Sequence, residues 1–289
     1  MPEFITHSVI HALKDGAMSI PILFLAYLFM EMLERSRRLD ENMLRSYSEK
    51  AGPAIGGLLG AVPQCGISGA AASLFSTGSV TVGTMLAVFF ATSDEMLPIM
   101  LSSMSGDKGI SPAEIFGIVA AKAVIGIALG YFVDAVAGKY FAQKDIHSFC
   151  EREHCECEDE EGSVWLSAIR HTAKIFILLV LVNFALHIVF ELGGEDWLKA
   201  SMLSVPVVSE IILAIVGLIP NCVVSVVITE AYLSGIIGLG GLFAGLLSNA
   251  GIGMLVLFRS NANMKENIII VFISCVLSAI VGIIIGFIF

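Results

Sequence analysis

The chain has 289 residues, of which 56% are hydrophobic and 15% charged, with a formal net charge of −10. Its mean hydropathy is +0.88. That balance excludes an ordinary soluble globular domain and leaves an integral membrane protein. No basic patch exists to bind nucleic acid, because seven acids (Glu151, Glu153, Glu156, Glu158, Asp159, Glu160 and Glu161) crowd one short stretch.

Strand-like alternation is missing and apolar runs of about 20 residues recur, so the expected class is an all-α polytopic membrane protein. Met18 to Leu33 is followed by its basic cluster, Arg35, Arg37 and Arg38, and reads as a retained spanning helix rather than a signal peptide. The first half then predicts a helix from about Ile10 to Glu34 and a basic loop to Lys50. A broken segment from Ala54 to Phe75 follows, then helices from Val80 to Met104 and from Ser111 to Val136. After a hydrophilic linker the order returns, at about Leu166 to Phe190, Val207 to Tyr232, Ile236 to Phe258 and Asn267 to Phe289. Eight to ten helical segments fall into repeat 1 (1–138), a linker (139–165) and repeat 2 (166–289).

The broken segments carry the clearest repeat, Gly60-Ala-Val-Pro63-Gln64-Cys65-Gly-Ile-Ser68 against Gly217-Leu-Ile-Pro220-Asn221-Cys222-Val-Val-Ser225. His11, Lys14 and Glu31 likewise meet His171, Lys174 and Glu191, while Gly126 and Gly130 meet Gly282 and Gly286. Proline removes a backbone donor and clashes with the preceding turn, so Pro63 and Pro220 each break a helix where the surroundings are hydrocarbon. Paired breaks in corresponding halves of a membrane protein point to a transport site near the bilayer midplane. If each half crosses an odd number of times, twelve Lys and Arg side chains of the loops share the linker's side and three lie opposite. The positive-inside rule then gives inverted repeats, a cytoplasmic linker and both termini outside, in a cell inner (plasma) membrane.

A second polar interruption falls in the next helix of each half, Thr92-Ser93-Asp94-Glu95 and Ser248-Asn249-Ala250-Gly251. Ionisable groups at such depth are costly and mark function. Together the motifs predict a translocation cage of Gln64, Cys65, Thr92, Ser93, Asp94, Glu95, Asn221, Cys222, Ser248 and Asn249. Thiols beside carboxylate and amide oxygens suit a transition-metal or thiophilic ion better than Na⁺ or a sugar. Glu31, His187, Glu191, Glu210 and Glu230 are proton-relay candidates for proton-coupled export. In the linker, His147, Cys150, His154, Cys155 and Cys157 form a compact soft-donor cluster able to bind Zn²⁺ or a similar ion.

From Pro63 to Asp94 and again from Pro220 to Gly251, the sequence resembles a family of ten-helix heavy-metal exporters related to the arsenical permeases, some members of which are labelled manganese transporters. The resemblance implies a metal ion as substrate and partner, with no catalytic cofactor. The Cys-Ser-Cys usual in the permeases is Gln64-Cys65-Gly66 here, and the carboxylate Asp94 follows Ser93, which points to a cation. A permease for trivalent arsenicals or another small solute is the alternative, and a membrane metal sensor or enzyme is the reading from a different class. Neither a nucleotide-binding motif nor a His-Glu-x-x-His sequence occurs, so the expected protein is not an enzyme and draws on an ion gradient, as a monomer or a homodimer.

Overall fold

The computed structural model describes residues 41–93, 96–103, 110–138, 140, 141 and 207–289, with isolated helical positions at 24, 28, 169, 173 and 177. Every regular element among them is a helix. In chain order these are α1 (Glu41–Gly60), α2 (Cys65–Ser76), α3 (Val82–Ala91), α4 (Met96–Ser103), α5 (Pro112–Ala137), α6 (Val208–Gly217), α7 (Cys222–Leu233), α8 (Leu239–Ser248), α9 (Ile252–Ser260) and α10 (Met264–Ile288). Four spans among the described residues are long and apolar enough to cross a membrane: Val82–Leu101, Pro112–Ala137, Leu239–Ser260 and Met264–Ile288.

Each predicted proline break is present and built alike. Around Pro63 the Gln64 N–H donates to the Val62 carbonyl at 2.8 Å, and around Pro220 the Asn221 N–H donates to Ile219 at 2.8 Å. A proline at the centre of such a three-residue turn has no N–H to waste, so α1 and α6 stop and α2 and α7 restart in a new direction. Both restarted helices also end alike. Gly78 (φ 80°) and Gly235 (φ 72°) adopt the left-handed conformation. The N–H groups of Ser79 and Ile236 then reach back to Leu74 and Ala231, at 3.0 and 2.9 Å, the bonding of a Schellman ending.

The polar interruptions break the following helices outright. What periodicity reads as single helices from Val80 and from Ile236 is α3 plus α4 and α8 plus α9. At the start of the first half the sequence expectation fails differently. The stretch expected as a basic loop to Lys50 is helical from Glu41, so the arm leading to the first break is 20 residues long, about 30 Å rather than half a hydrocarbon core. Its counterpart α6 has 10 residues. Charged residues such as Arg45 and Lys50 have good helix propensity, which an apolar-run criterion does not see.

Packing repeats as well. α1, α3 and α5 form one group and α6, α8 and α10 another, while α2 packs on α9, α7 on α4, and α3 meets α8 at the centre. The short helix after each proline break thus packs on the opposite half as well as on its own. Crossings within each group are close because small residues meet there. A Cβ on Gly83 would stand 2.2 Å from the Gly130 carbonyl oxygen, and one on Gly240 2.6 Å from that of Gly282, the small-residue packing that replaces hydrophobic collapse inside lipid.

The spans divide into core and lipid-facing pairs. Of their apolar windows, 75% of Val82–Leu101 and 89% of Leu239–Ser260 are buried, against 33% of Pro112–Ala137 and 22% of Met264–Ile288. The broken helices are therefore the protein's centre, and α5 and α10 are its walls. Phe116, Phe132, Phe272 and Phe287 project outward from those walls, as lipid-facing side chains do.

Candidate functional site

Where α3 and α8 end, the last carbonyls of each helix lose the turn that would have satisfied them. Thr92 leaves α3 at φ −53°, ψ 127°, and Asn249 leaves α8 at φ −82°, ψ 98°. Because α3 meets α8, both ends reach the same small cavity, lined by Thr92, Ser93, Met96, Lys122, Ser225, Leu246, Asn249 and Gly251. Its volume is about 10 Å³, which holds one water or one bare ion and no larger solute.

Lys122, from the middle of α5, is 1% exposed. Its Nζ donates to the Thr92 carbonyl and, at 3.4 Å, to the Leu246 carbonyl. Each helix C-terminus carries about half a negative charge. The ammonium therefore sits where two such ends converge, which is how a charge this deep is tolerated.

The hydroxyl groups face the cavity with their oxygens free to accept. Thr92 Oγ1 donates its proton to the Val88 carbonyl at 2.7 Å, and Ser93 Oγ donates to Ala91 at 3.1 Å. A hydroxyl whose hydrogen is already engaged offers lone pairs to whatever enters. Asn249 braces the second break: its Oδ1 accepts from the Gly251 N–H at 2.8 Å, and its Nδ2 donates to the Asn221 carbonyl at 3.4 Å. Asn221 caps α7, with Oδ1 accepting from the Val223 N–H at 2.9 Å. Its Nδ2 is buried without a partner.

Of the predicted cage, the structure thus brings together Thr92, Ser93 and Asn249, with Asn221 one hydrogen bond behind. Ser248 turns away, donating to Gly245 at 3.0 Å and packing against Gly217. Gln64 is half-buried at the start of α2 and Pro63 is exposed; neither lines the cavity. Cys65 and Cys222 open α2 and α7, while Asp94 and Glu95 lie outside the described residues. Pro220 is half-buried in its turn. Among the relay candidates, Glu210 is buried at the start of α6 and accepts from the Val207 N–H at 2.7 Å and from the Ser209 hydroxyl at 3.0 Å. Glu230 is exposed on α7, and Glu31, His187, Glu191 and all five linker donors (His147, Cys150, His154, Cys155, Cys157) lie outside the described residues. Among the described residues no group of three or more His, Cys, Asp or Glu side chains is placed to hold a metal ion.

Sequence reasoning missed two lining residues with polar side chains. Ser225 was visible as a repeat match with Ser68 but carried no chemical signal of its own. Lys122 did carry one, as an ionisable residue preceded back to Pro112 by nine apolar, proline or glycine positions and Glu114. Loop-based charge counting leaves such a residue out.

Compared with known proteins, residues 3–205 match the family model ArsP_2, described as "Putative, 10TM heavy-metal exporter". The chain belongs to this family. No curated protein and no solved structure matches it. The match takes in α1 to α5 and ends just before α6. The family is described as one of transporters, and with the apolar spans it makes the chain a multi-pass membrane protein of a heavy-metal exporter family.

Proposed function

We propose that the chain is a secondary-active transporter that exports a divalent or thiophilic metal ion, Mn²⁺ among the candidates, by alternating access between two inverted repeats. The observation that carries this reading is the cavity where α3 and α8 both end, lined by Thr92, Ser93 and Asn249 from the two halves. Carbonyl oxygens at two helix C-termini and hydroxyl lone pairs are a cation's ligands. Lys122 holds those carbonyls, and an entering metal ion displaces its ammonium from them. Asp94, one residue beyond Ser93, and the thiols of Cys65 and Cys222 complete the ligand set in this reading. The room available fits a dehydrated ion.

Proton antiport supplies the energy, with Glu210 and Glu230 the described relay candidates. The linker lies in the cytoplasm and gathers metal through His147, Cys150, His154, Cys155 and Cys157, with the protein in the inner membrane and both termini outside. A second reading has one specific observation behind it: the unpartnered Asn221 Nδ2 is a donor, and donors suit an oxygen-bearing solute such as a trivalent arsenical.

Uptake into inside-out vesicles under an imposed pH gradient tests both. Saturable uptake of Mn²⁺, Zn²⁺ or Cd²⁺ that is lost in Asp94→Asn supports the metal reading. Uptake of arsenite alone, unchanged in Asp94→Asn, replaces it with the second.

A further inference from the structure

The wall helices of the two halves differ at one buried position, Lys122 in α5 against Ser278 in α10, and that difference defines a second site. In the first half, a Cβ on Gly126 would lie 3.0 Å from the Ala87 carbonyl oxygen, and one on Gly130 2.6 Å from that of Gly83. One turn further along α5, Lys122 reaches the carbonyl of Thr92, the residue that ends α3. In the second half, a Cβ on Gly282 would lie 2.5 Å from Ala244 Cβ, and one on Gly286 3.6 Å from Gly240 Cα. α10 therefore runs past α8 in the register in which α5 runs past α3. One turn beyond Gly282, about 5.4 Å, Ser278 comes level with the last turn of α8, where Lys122 stands in the first half.

Ser278 is fully buried, as is Ser274 one turn further toward Asn249. Both lie on the single buried stripe of α10, Asn267, Ile270, Ser274, Ser278 and Gly282, the face packed on α8. Neither hydroxyl has a hydrogen-bond partner. A helical serine ordinarily bonds back to a carbonyl of the preceding turn, and a buried hydroxyl left with none calls for a guest. The Thr92 carbonyl, which closes α3, is met by a tethered ammonium that reaches α8 at Leu246, at 3.4 Å, one turn short of Asn249, where α8 ends. The equivalent end of α8, with the same surplus of carbonyl oxygens, has two unengaged hydroxyl oxygens in its place.

We infer that Ser278 and Ser274, with the terminal carbonyls of α8, form a binding site for a monovalent cation, Na⁺ or K⁺, which takes in the second half the position of the Lys122 ammonium in the first. Hydroxyl and carbonyl oxygens are hard ligands suited to such ions and poor ones for a thiophilic metal. The site is thus separate in chemistry from the transport cavity. Binding there secures the end of α8 beside the second break, and transport depends on it. Only that dependence rests on the transporter reading, whereas the binding itself stands alone.

The test is thermal unfolding of the purified chain in detergent, in NaCl, KCl or choline chloride at equal ionic strength. At ten times the dissociation constant, the ion that binds raises Tm by about 3 °C or more over choline, and which salt does so identifies it. Ser278→Ala, close in volume, removes the shift. Ser278→Lys supplies the ammonium covalently and melts at the same temperature in all three salts. Equal Tm in all three salts for the unmodified chain, as expected if water alone fills the site, overturns the inference, as does a shift that survives in Ser278→Ala. A salt-specific shift in a protein that moves no metal would leave this site standing and sink the proposed function instead.

Discussion

Replacing Lys122 by methionine tests how the centre of the molecule is held. Methionine matches the apolar stem in length and fits the same channel through α5, so packing changes little. What changes is at the tip. The Thr92 carbonyl loses a charged donor, worth about 1.5–3 kcal/mol, and the Leu246 carbonyl loses a weaker one at 3.4 Å. Against this, an ammonium no longer has to be held out of water, a desolvation cost that offsets part of the loss. The net is about 2 kcal/mol of destabilisation, or a Tm lower by about 4–8 °C at the 2–4 °C per kcal/mol usual for chains approaching this size. The ends of α3 and α8, now two partly negative termini with nothing between them, repel and open the break. Metal flux should fall by about tenfold or more. Thermal melting in detergent and vesicle uptake read the two effects separately. A Lys122→Met protein that melts and transports like the parent would refute the idea that this ammonium holds the paired breaks.

Other consequences follow from the close approaches and the break geometry. Gly217→Ala puts a Cβ 2.1 Å from Ser248 Oγ and 2.2 Å from the Gly245 carbonyl oxygen, so it should cost about 1–3 kcal/mol. Gly117→Ala, with nothing within 4 Å, should melt at or slightly above the parent temperature, because alanine favours helix. Gly251, at φ 52° and ψ −132°, occupies backbone space that side chains avoid, and Gly251→Ala should lose about 1–3 kcal/mol and impair flux with it. Asn267 pairs with Asn261 through bonds of 2.7 and 3.0 Å. Asn267→Leu should therefore lower Tm by several degrees while leaving the substrate preference in vesicle assays unchanged.

The sequence was informative where chemistry forces geometry. Proline removes a backbone donor and crowds the preceding turn, so the turns at Pro63 and Pro220 could be read from two residues, although Pro53 stays inside α1, and the polar interruptions at Thr92 and Asn249 marked the second pair of breaks. The glycine matches were equally readable, since Gly83 with Gly130 and Gly240 with Gly282 are helix crossings in both halves. Partner choice was not readable. That α2 packs on α9 and α7 on α4 is set by three-dimensional complementarity between uniformly apolar surfaces, which carry no pattern in one dimension. The start of α1 was missed because its charged first turns contain no apolar run. Lys122 shows the general difficulty. Its residue type was a signal, but its role depends on two carbonyls 30 and 124 positions away.

The central claim is that a metal ion crosses the membrane through the cavity at the ends of α3 and α8. Saturable metal flux into proteoliposomes by the parent chain and by Thr92→Val tests it most directly, because valine keeps the shape of threonine and removes the hydroxyl oxygen from the cavity lining. The account predicts clear uptake by the parent and a loss of about tenfold or more in Thr92→Val, in protein that melts within a few degrees of the parent. Equal uptake by the two, or none by a folded parent for any of Mn²⁺, Zn²⁺, Cd²⁺ and arsenite, would contradict it.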